Sequence, residues 1–186
     1  MKRELFLHIC CGPCAAHVIH SLRAEHEITG FFYNPNIHPT LEYQRRLEAA
    51  RTVCERLDVN FSEGPYETER YYDAVAGLEK EPENGARCLS CYHLRLSVTA
   101  RRAAENGCRF IASTLTVGPM KKAAIIDPIG EEEACRAGVT FLAADWKKKD
   151  GFRHSCELSR EFGIYRQRYC GCEFSLPPLL IQKPPR

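Results

Sequence analysis

Three short-range groups hold most of the eleven cysteines: Cys10, Cys11 and Cys14 in HICCGPCAAH, Cys88 and Cys91 in RCLSCYHLR, and Cys170 and Cys172 in YCGCE. Thiolates are soft ligands and strong nucleophiles, so such groups point to metal binding, cluster binding or thiol redox chemistry. A C-x-x-C spacing on a turn, or on the first turn of a helix, aims both sulfurs the same way and lets them converge on one metal or cluster. One such pair is weak evidence. Two pairs from distant parts of the chain, with a third close pair added, are far stronger. Cys54, Cys108, Cys135 and Cys156 stand singly in or beside periodic elements and are read as packing residues, because free cysteine buries readily.

Residues 11–14 spell CGPC, the lettering of a thioredoxin-type dithiol. In that fold the motif usually follows a Trp and has no companion cysteine pairs. Here the only Trp is Trp146, and two further pairs follow. Structural zinc asks for four tetrahedral ligands, which two pairs would satisfy. The adjacent Cys10-Cys11 is an unusual zinc knuckle, however, and a helix start behind it favours thiolates or an anionic cluster. A redox cluster, with further cysteines for a second metal or a dithiol, uses the surplus sulfur better. Cys170 and Cys172 either ligate metal or cycle as a disulfide, which in so short a loop would be strained and easily reduced.

These groups need a scaffold, and short apolar runs alternating with helical patterns supply one. Leu5–Ile9, 27–33, 59–62, 109–116 and 139–144 read as strands. Helical periodicity covers 14–25, 40–57, 67–78, 89–106, 129–137 and 155–162, with 79–86 as a charged loop. The alternation predicts an α/β fold, a single-domain Rossmann-like parallel sheet with helices on both faces, over 1–174, followed by a Pro-rich tail, 175–186. Ligands of such sheets bind beyond the carboxyl ends of the strands. That rule gathers the CCGPC turn, the loop from Asn34 to Pro39, Thr114-Leu115-Thr116 and Asp145.

Within this set His38 is a candidate proton donor or substrate contact, set against a loop-stabilising role. Asp145 is a candidate catalytic carboxylate and metal ligand, set against an N-cap. Asn34 and Asn36 suit a turn, Tyr43 and Arg46 either face the ligand or cover the sheet, and His8 reads as a satisfied core group.

The formal charge is +2, from 26 basic and 24 acidic residues, which excludes a global basic field for unselective nucleic-acid binding. Local clusters remain: Lys121-Lys122, Lys147-Lys148-Lys149 with Arg153, and Arg166 to Arg168, with Trp146 and Tyr165 as stacking surfaces for unpaired bases. Met1-Lys2-Arg3 is followed by Glu4 and an apolar run broken by His8, so no export signal is read, and no run reaches membrane-span length. A cytoplasmic setting is expected, where cysteine pairs mean metal or redox chemistry rather than structural bridges.

Taken together, HICCGPCAAHV, FFYNPNIHPTLEYQRR, RCLSCYHLRL, ASTLT, DWKKKDGF and YRQRYCGC resemble the QueH-type epoxyqueuosine reductases, in order and over nearly the whole chain. The resemblance implies a cytosolic, cobalamin-independent oxidoreductase that removes the epoxide oxygen of epoxyqueuosine at the wobble position of tRNA, leaving queuosine. It implies a [4Fe-4S] cluster on Cys10, Cys11, Cys88 and Cys91, and a redox-active pair, Cys170 and Cys172. A second mononuclear iron is also implied, with Cys14, Asp145 and the terminal pair as candidates to hold it. An unidentified low-potential electron donor is required. The fold is further similar to nucleotide alpha-hydrolase-like proteins, whose phosphate loop here carries thiols instead. The residues alone leave two alternatives open: a zinc-stabilised nucleic-acid-binding module and a thiol-disulfide oxidoreductase.

Overall fold

Strand β1 (Arg3–His8) is apolar on both sides: Leu5 and Leu7 enter one buried cluster and Phe6 enters another. A strand buried on both faces belongs in a parallel sheet covered by two layers of helices. In the computed structural model, which describes residues 2–176, β1 pairs in parallel with β2 (His26–Phe32) and β4 (Phe110–Ser113). β3 (Asn60–Glu63) extends the sheet past β2, and β5 (Thr140–Phe141) extends it past β4. The order is β3-β2-β1-β4-β5, with every pair parallel.

Helices α1 (Gly12–Leu22), α2 (Thr40–Arg56) and α6 (Gly151–Glu161) cover one face, where Val18, Ile19, Val53 and Leu158 meet Leu5, Leu7 and Ile28. On the other face α3 (Thr68–Val75), α4 (Ala86–Glu105) and α5 (Ala123–Arg136) bring Tyr71, Leu96 and Ile126 against Phe6, Phe31 and Ile111. This is the expected Rossmann-like arrangement. β1 sits centrally, and the chain leaves it toward β2 on one side and reaches β4 on the other. The crevice beyond the ends of β1 and β4 is therefore the natural ligand site.

Several element boundaries differ from the sequence reading, among them α6, which starts at Gly151 rather than 155, and β4, which ends at Ser113 rather than 116. α5 starts at Ala123 rather than 129 and carries Pro128 inside it. The proline forfeits one backbone hydrogen bond, but Ile126 and Ile129 are buried on either side of it, and that burial outweighs the loss. β5 spans two residues rather than 139–144, because β4 ends at Ser113 and the chain turns into a 3-10 segment, Leu115–Val117. α4 starts at Ala86 rather than 89, which places Cys88 inside its first turn. The proline-rich tail lies outside the described residues from position 177 onward.

The sheet's carboxyl edge is tied by His8, whose ring is fully buried. Its Nε2 faces the Tyr33 carbonyl at 3.3 Å and so carries the proton, leaving Nδ1 to accept from the Ser113 hydroxyl at 2.9 Å. Burial pulls its pKa down to about 3, so the ring stays neutral and joins the ends of β1, β2 and β4.

Gly130, midway along α5, faces the Phe141 ring, and a Cβ there would lie 2.5 Å from it. Alanine gains about 1 kcal/mol of helix propensity over glycine, whereas forcing an extra methyl into a packed core costs about 1–3 kcal/mol. Gly130→Ala is expected to lower the urea midpoint at an unchanged m value. A raised midpoint would mean that β5 yields freely at the sheet edge.

Candidate metal centre

The turn after β1 brings Cys10, Cys11 and Cys14 together, with all three sulfurs within 4.8 Å of one another. Cys10 and Cys11 sulfurs are 3.8 Å apart. Cys11 is the N-cap of α1 and Cys14 lies in its first turn, so the helix directs its free amides and positive dipole end at the sulfurs. Thr114, just past β4, closes the turn from the other side. Its hydroxyl accepts from the Cys10 amide at 3.0 Å and donates to the Cys10 sulfur at 3.2 Å. Hydrogen bonding with Cys11 and Cys14 lowers the Cys10 pKa despite burial, with help from Arg95 and Thr114. The same interaction pushes Cys11 up to about 12 and raises Cys14 as well.

Cys88 and Cys91 lie one turn apart at the start of α4, both buried. The Asn84 amide donates to the Cys88 sulfur at 3.2 Å. They stand outside the tight trio and meet it through Arg95. This guanidinium is fully buried, donates to Asn34 Oδ1 at 2.5 Å and reaches the Cys91 sulfur at 4.0 Å. Among the described residues no carboxylate pairs with it. Burial opposes its charge, yet the thiols of Cys91, Cys10 and Cys170 hold its pKa above the usual arginine value. Asn34 is fixed in turn by donating to the Ile9 carbonyl at 2.9 Å, so the turn residue doubles as an anchor for the buried cation.

Cys170 and Cys172 arrive on a C-terminal arm held by Arg46. The guanidinium, 2% exposed, donates to the carbonyls of Cys170 at 2.9 Å and Tyr169 at 3.1 Å and pairs with buried Glu42 at 2.7 Å. Tyr165 on the arm donates to the other Glu42 oxygen at 2.6 Å. The His38 amide donates to the Gly171 carbonyl at 2.8 Å. Gly171 has φ +108°, and a Cβ on it would lie 2.9 Å from Arg46, so the turn between the two cysteines requires glycine. Cys172 is hydrogen-bonded to the Tyr71 hydroxyl at 3.0 Å, and Lys121 donates to the Cys170 sulfur at 3.4 Å. Gln167, also on the arm, donates to the Cys11 sulfur at 2.9 Å.

A cavity of about 350 Å³ lies between arm and turn, lined by Cys10, Cys14, Arg46, Arg95, Lys121 and Cys170, among others. Of the predicted site residues, Cys10, Cys14 and Cys170 line it, and Cys11, Cys88, Cys91, Cys172, His38 and Asp145 do not. Asp145 pairs with Lys147 at 2.7 Å, and the His38 ring packs against Tyr66, Tyr71 and Tyr72 while its backbone holds the arm. Burial lowers the His38 pKa. Trp146 donates its indole N–H to the Ser113 carbonyl, and Lys147 also ties the Lys121 carbonyl, so neither is the free RNA contact expected of it. All eleven cysteines are free thiols. Cys54 and Cys156 are buried as expected, but Cys135 is exposed, because α5 turns that side to solvent. Arg95, Gln167, Met120 and Phe152 are not singled out by the sequence as site residues, and Lys121 reads there only as part of a basic cluster. Only position beside the cysteine motifs marks Arg95 and Gln167 in the sequence.

A family profile described as epoxyqueuosine reductase QueH matches residues 5–177. The chain belongs to this family. It is 36% identical over 181 residues to the epoxyqueuosine reductase QueH of Streptococcus pyogenes serotype M1, covering 94% of this chain and 71% of that protein. It is also 36% identical over 175 residues to the Thermotoga maritima family member, covering 92% and 90%. Family membership makes the chain an oxidoreductase of queuosine biosynthesis. In fold it is similar to the U34-tRNA thiolase NcsA from Methanococcus maripaludis, solved with its [4Fe-4S] cluster, at a TM-score of 0.62 and 14% identity. That match covers 95% of this chain and 62% of the thiolase, and it extends to the fold alone.

An iron–sulfur cluster asks for thiolates and for positive charge to offset theirs. The donor set here fits: three thiols converge at the β1 turn, a buried guanidinium with no carboxylate partner among the described residues lies near them and beside Cys91, and a helix N-terminus points at the trio.

Removing Arg46 strands the buried Glu42 carboxylate, so Arg46→Ala is expected to cost about 3–5 kcal/mol and to release the arm. Arg46→Lys keeps the ion pair but loses the two-carbonyl fork. Iodoacetamide labelling of Cys172, followed by peptide mass spectrometry, should accelerate strongly in Arg46→Ala and moderately in Arg46→Lys. Wild-type protection in both would contradict the anchoring role.

Proposed function

We propose that this chain carries an iron–sulfur cluster of the [4Fe-4S] type and reduces epoxyqueuosine in tRNA to queuosine. The observation that carries this reading is the convergence of Cys10, Cys11 and Cys14 with the uncompensated Arg95 at the end of β1, under a cavity of nucleoside size. Cys10, Cys11, Cys88 and Cys91 are the thiols that would hold the cluster. Cys14 is the sulfur left beside it for a second, mononuclear iron, and Asp145, paired with Lys147 outside the cavity lining, is the weaker candidate for that ion.

Loss of an epoxide oxygen to leave an alkene consumes two electrons and two protons and releases water. The cluster, when bound, supplies electrons singly from a low-potential donor. Cys170 and Cys172 match the stoichiometry on their own, because oxidation of two thiols to one disulfide releases two electrons and two protons. Lys121 puts its ammonium beside Cys170 in the cavity wall, where it stabilises a thiolate and negative charge on a departing oxygen. The arm excludes water by covering the thiols, with Gln167 seated on Cys11. His38 fixes the CGC turn through its backbone. A cytoplasmic setting, in which thiols stay reduced, belongs to the same reading. Among the described residues no helix is long and apolar enough to cross a membrane.

Nucleoside mass spectrometry of epoxyqueuosine-bearing tRNA, incubated anaerobically with reconstituted protein and a low-potential reductant, tests the reading. The expected product has lost one oxygen, and Cys10→Ser and Cys88→Ser should form none. Unchanged epoxyqueuosine with iron-loaded wild-type protein would overturn it.

A further inference from the structure

The cavity mouth carries features that the reduction chemistry leaves unused. Two of the five exposed large hydrophobic side chains of the described residues, Met120 at 59% and Phe152 at 40%, line this cavity. Arg166 and Arg168 line it too. They flank Gln167, which turns inward to Cys11, while both arginines remain exposed. Among the described residues neither guanidinium has a hydrogen-bond or ion-pair partner. The other cations of the lining are committed: Arg46 to Glu42 and the arm, Arg95 to Asn34, Lys121 to Glu83 and Cys170.

A volume of about 350 Å³ lies near the lower end of small-molecule sites, which run from ~300 to ~1,000 Å³. It admits one nucleoside and not a stacked pair. A base that must be reached by side chains has to leave its stack and enter alone, so its neighbours stay outside, at the rim. Apolar side chains interleaved with unpaired arginines suit unstacked bases and phosphates, the two components of a single strand. A protein partner would need a contiguous apolar patch or acidic residues to meet these cations.

We infer that the mouth is a single-strand RNA docking rim. Arg166 and Arg168 pair with the phosphates flanking the entering nucleotide, and Phe152 and Met120 support the adjoining bases. This inference rests on the reductase reading and adds to it the residues that present the strand to the thiols.

The test uses cluster-loaded protein and a fluorescein-labelled single-stranded anticodon-loop RNA, with anisotropy measured across a series of salt concentrations. Losing two phosphate contacts in Arg166→Ser/Arg168→Ser should flatten the slope of log K against log salt by about 1.4. The double Lys variant should retain the wild-type slope. Phe152→Ala should weaken binding about tenfold with no change in slope. Arg101→Ser/Arg102→Ser, at the far end of α4, removes the same two charges and should behave as wild type. In the tRNA conversion assay the rim variants should raise KM and leave kcat. Wild-type protein that converts tRNA, with rim variants unchanged in slope, affinity and KM, overturns the rim and leaves the reductase reading standing. Wild-type protein that neither binds nor converts overturns both.

Discussion

Arg95 is wholly buried on α4, one turn beyond Cys91, and no carboxylate among the described residues offsets its charge. A buried, unpaired cation is among the most destabilising features a fold can contain. The compensation available is sulfur: Cys91 on the same helix, Cys10 from the β1 turn and Cys170 from the arm. Three distant segments thus present sulfur to one buried cation. Within the site the Cys10 thiol pKa is lowered, while burial and mutual contact raise Cys11, Cys14, Cys91 and Cys172. The demand of the buried cation explains why Asn34 is spent on holding the guanidinium rather than on a ligand.

The sheet makes this convergence possible. β1 ends between β2 and β4, where the chain leaves in one direction and returns from the other, so a crevice opens over its last residues. α1 closes one side with its N-terminus, α4 supplies a second cysteine pair from the opposite layer, and Thr114 bridges from β4. The arm then roofs the crevice. Its attachment is polar rather than hydrophobic: a fully paired Arg46–Glu42–Tyr165 network grips backbone carbonyls, which fixes the CGC turn without constraining its side chains. Such satisfied buried networks specify one arrangement, and this one separates the covered thiols below from the exposed rim above.

Much of this was legible in the sequence because it is local. Strand alternation gave Leu5 and Leu7 one face and Phe6 the other, and cysteine spacing marked each sulfur group by itself. The rule that ligands sit at strand ends correctly joined the CCGPC turn to Thr114. Partnerships made at long range were not legible. Arg46 meets Cys170 across 124 residues and Gln167 meets Cys11 across 156, and nothing in the spacing of either residue signals it. Asp145 reads as a site residue for the same reason that Thr114 does, since both follow strands. Yet Lys147, two residues on, captures its carboxylate. Trp146 looks like a stacking surface in a basic run, but its indole N–H finds the Ser113 carbonyl and turns inward. The exposed aromatic at the cavity is Phe152, which closes the DWKKKDGF motif on an amphipathic helix and reads there as part of the motif rather than as a contact.

The claim on which the rest depends is that these thiols hold iron in sulfur coordination rather than zinc or no metal. X-ray absorption at the iron and zinc edges of anaerobically reconstituted protein tests it most directly. The expected result is a sulfur-dominated first shell around iron in the wild type, lost in Cys10→Ser and disturbed in Arg95→Gln, where the compensating charge is gone. Tightly bound zinc in a four-sulfur shell, with iron absent after reconstitution, would contradict it.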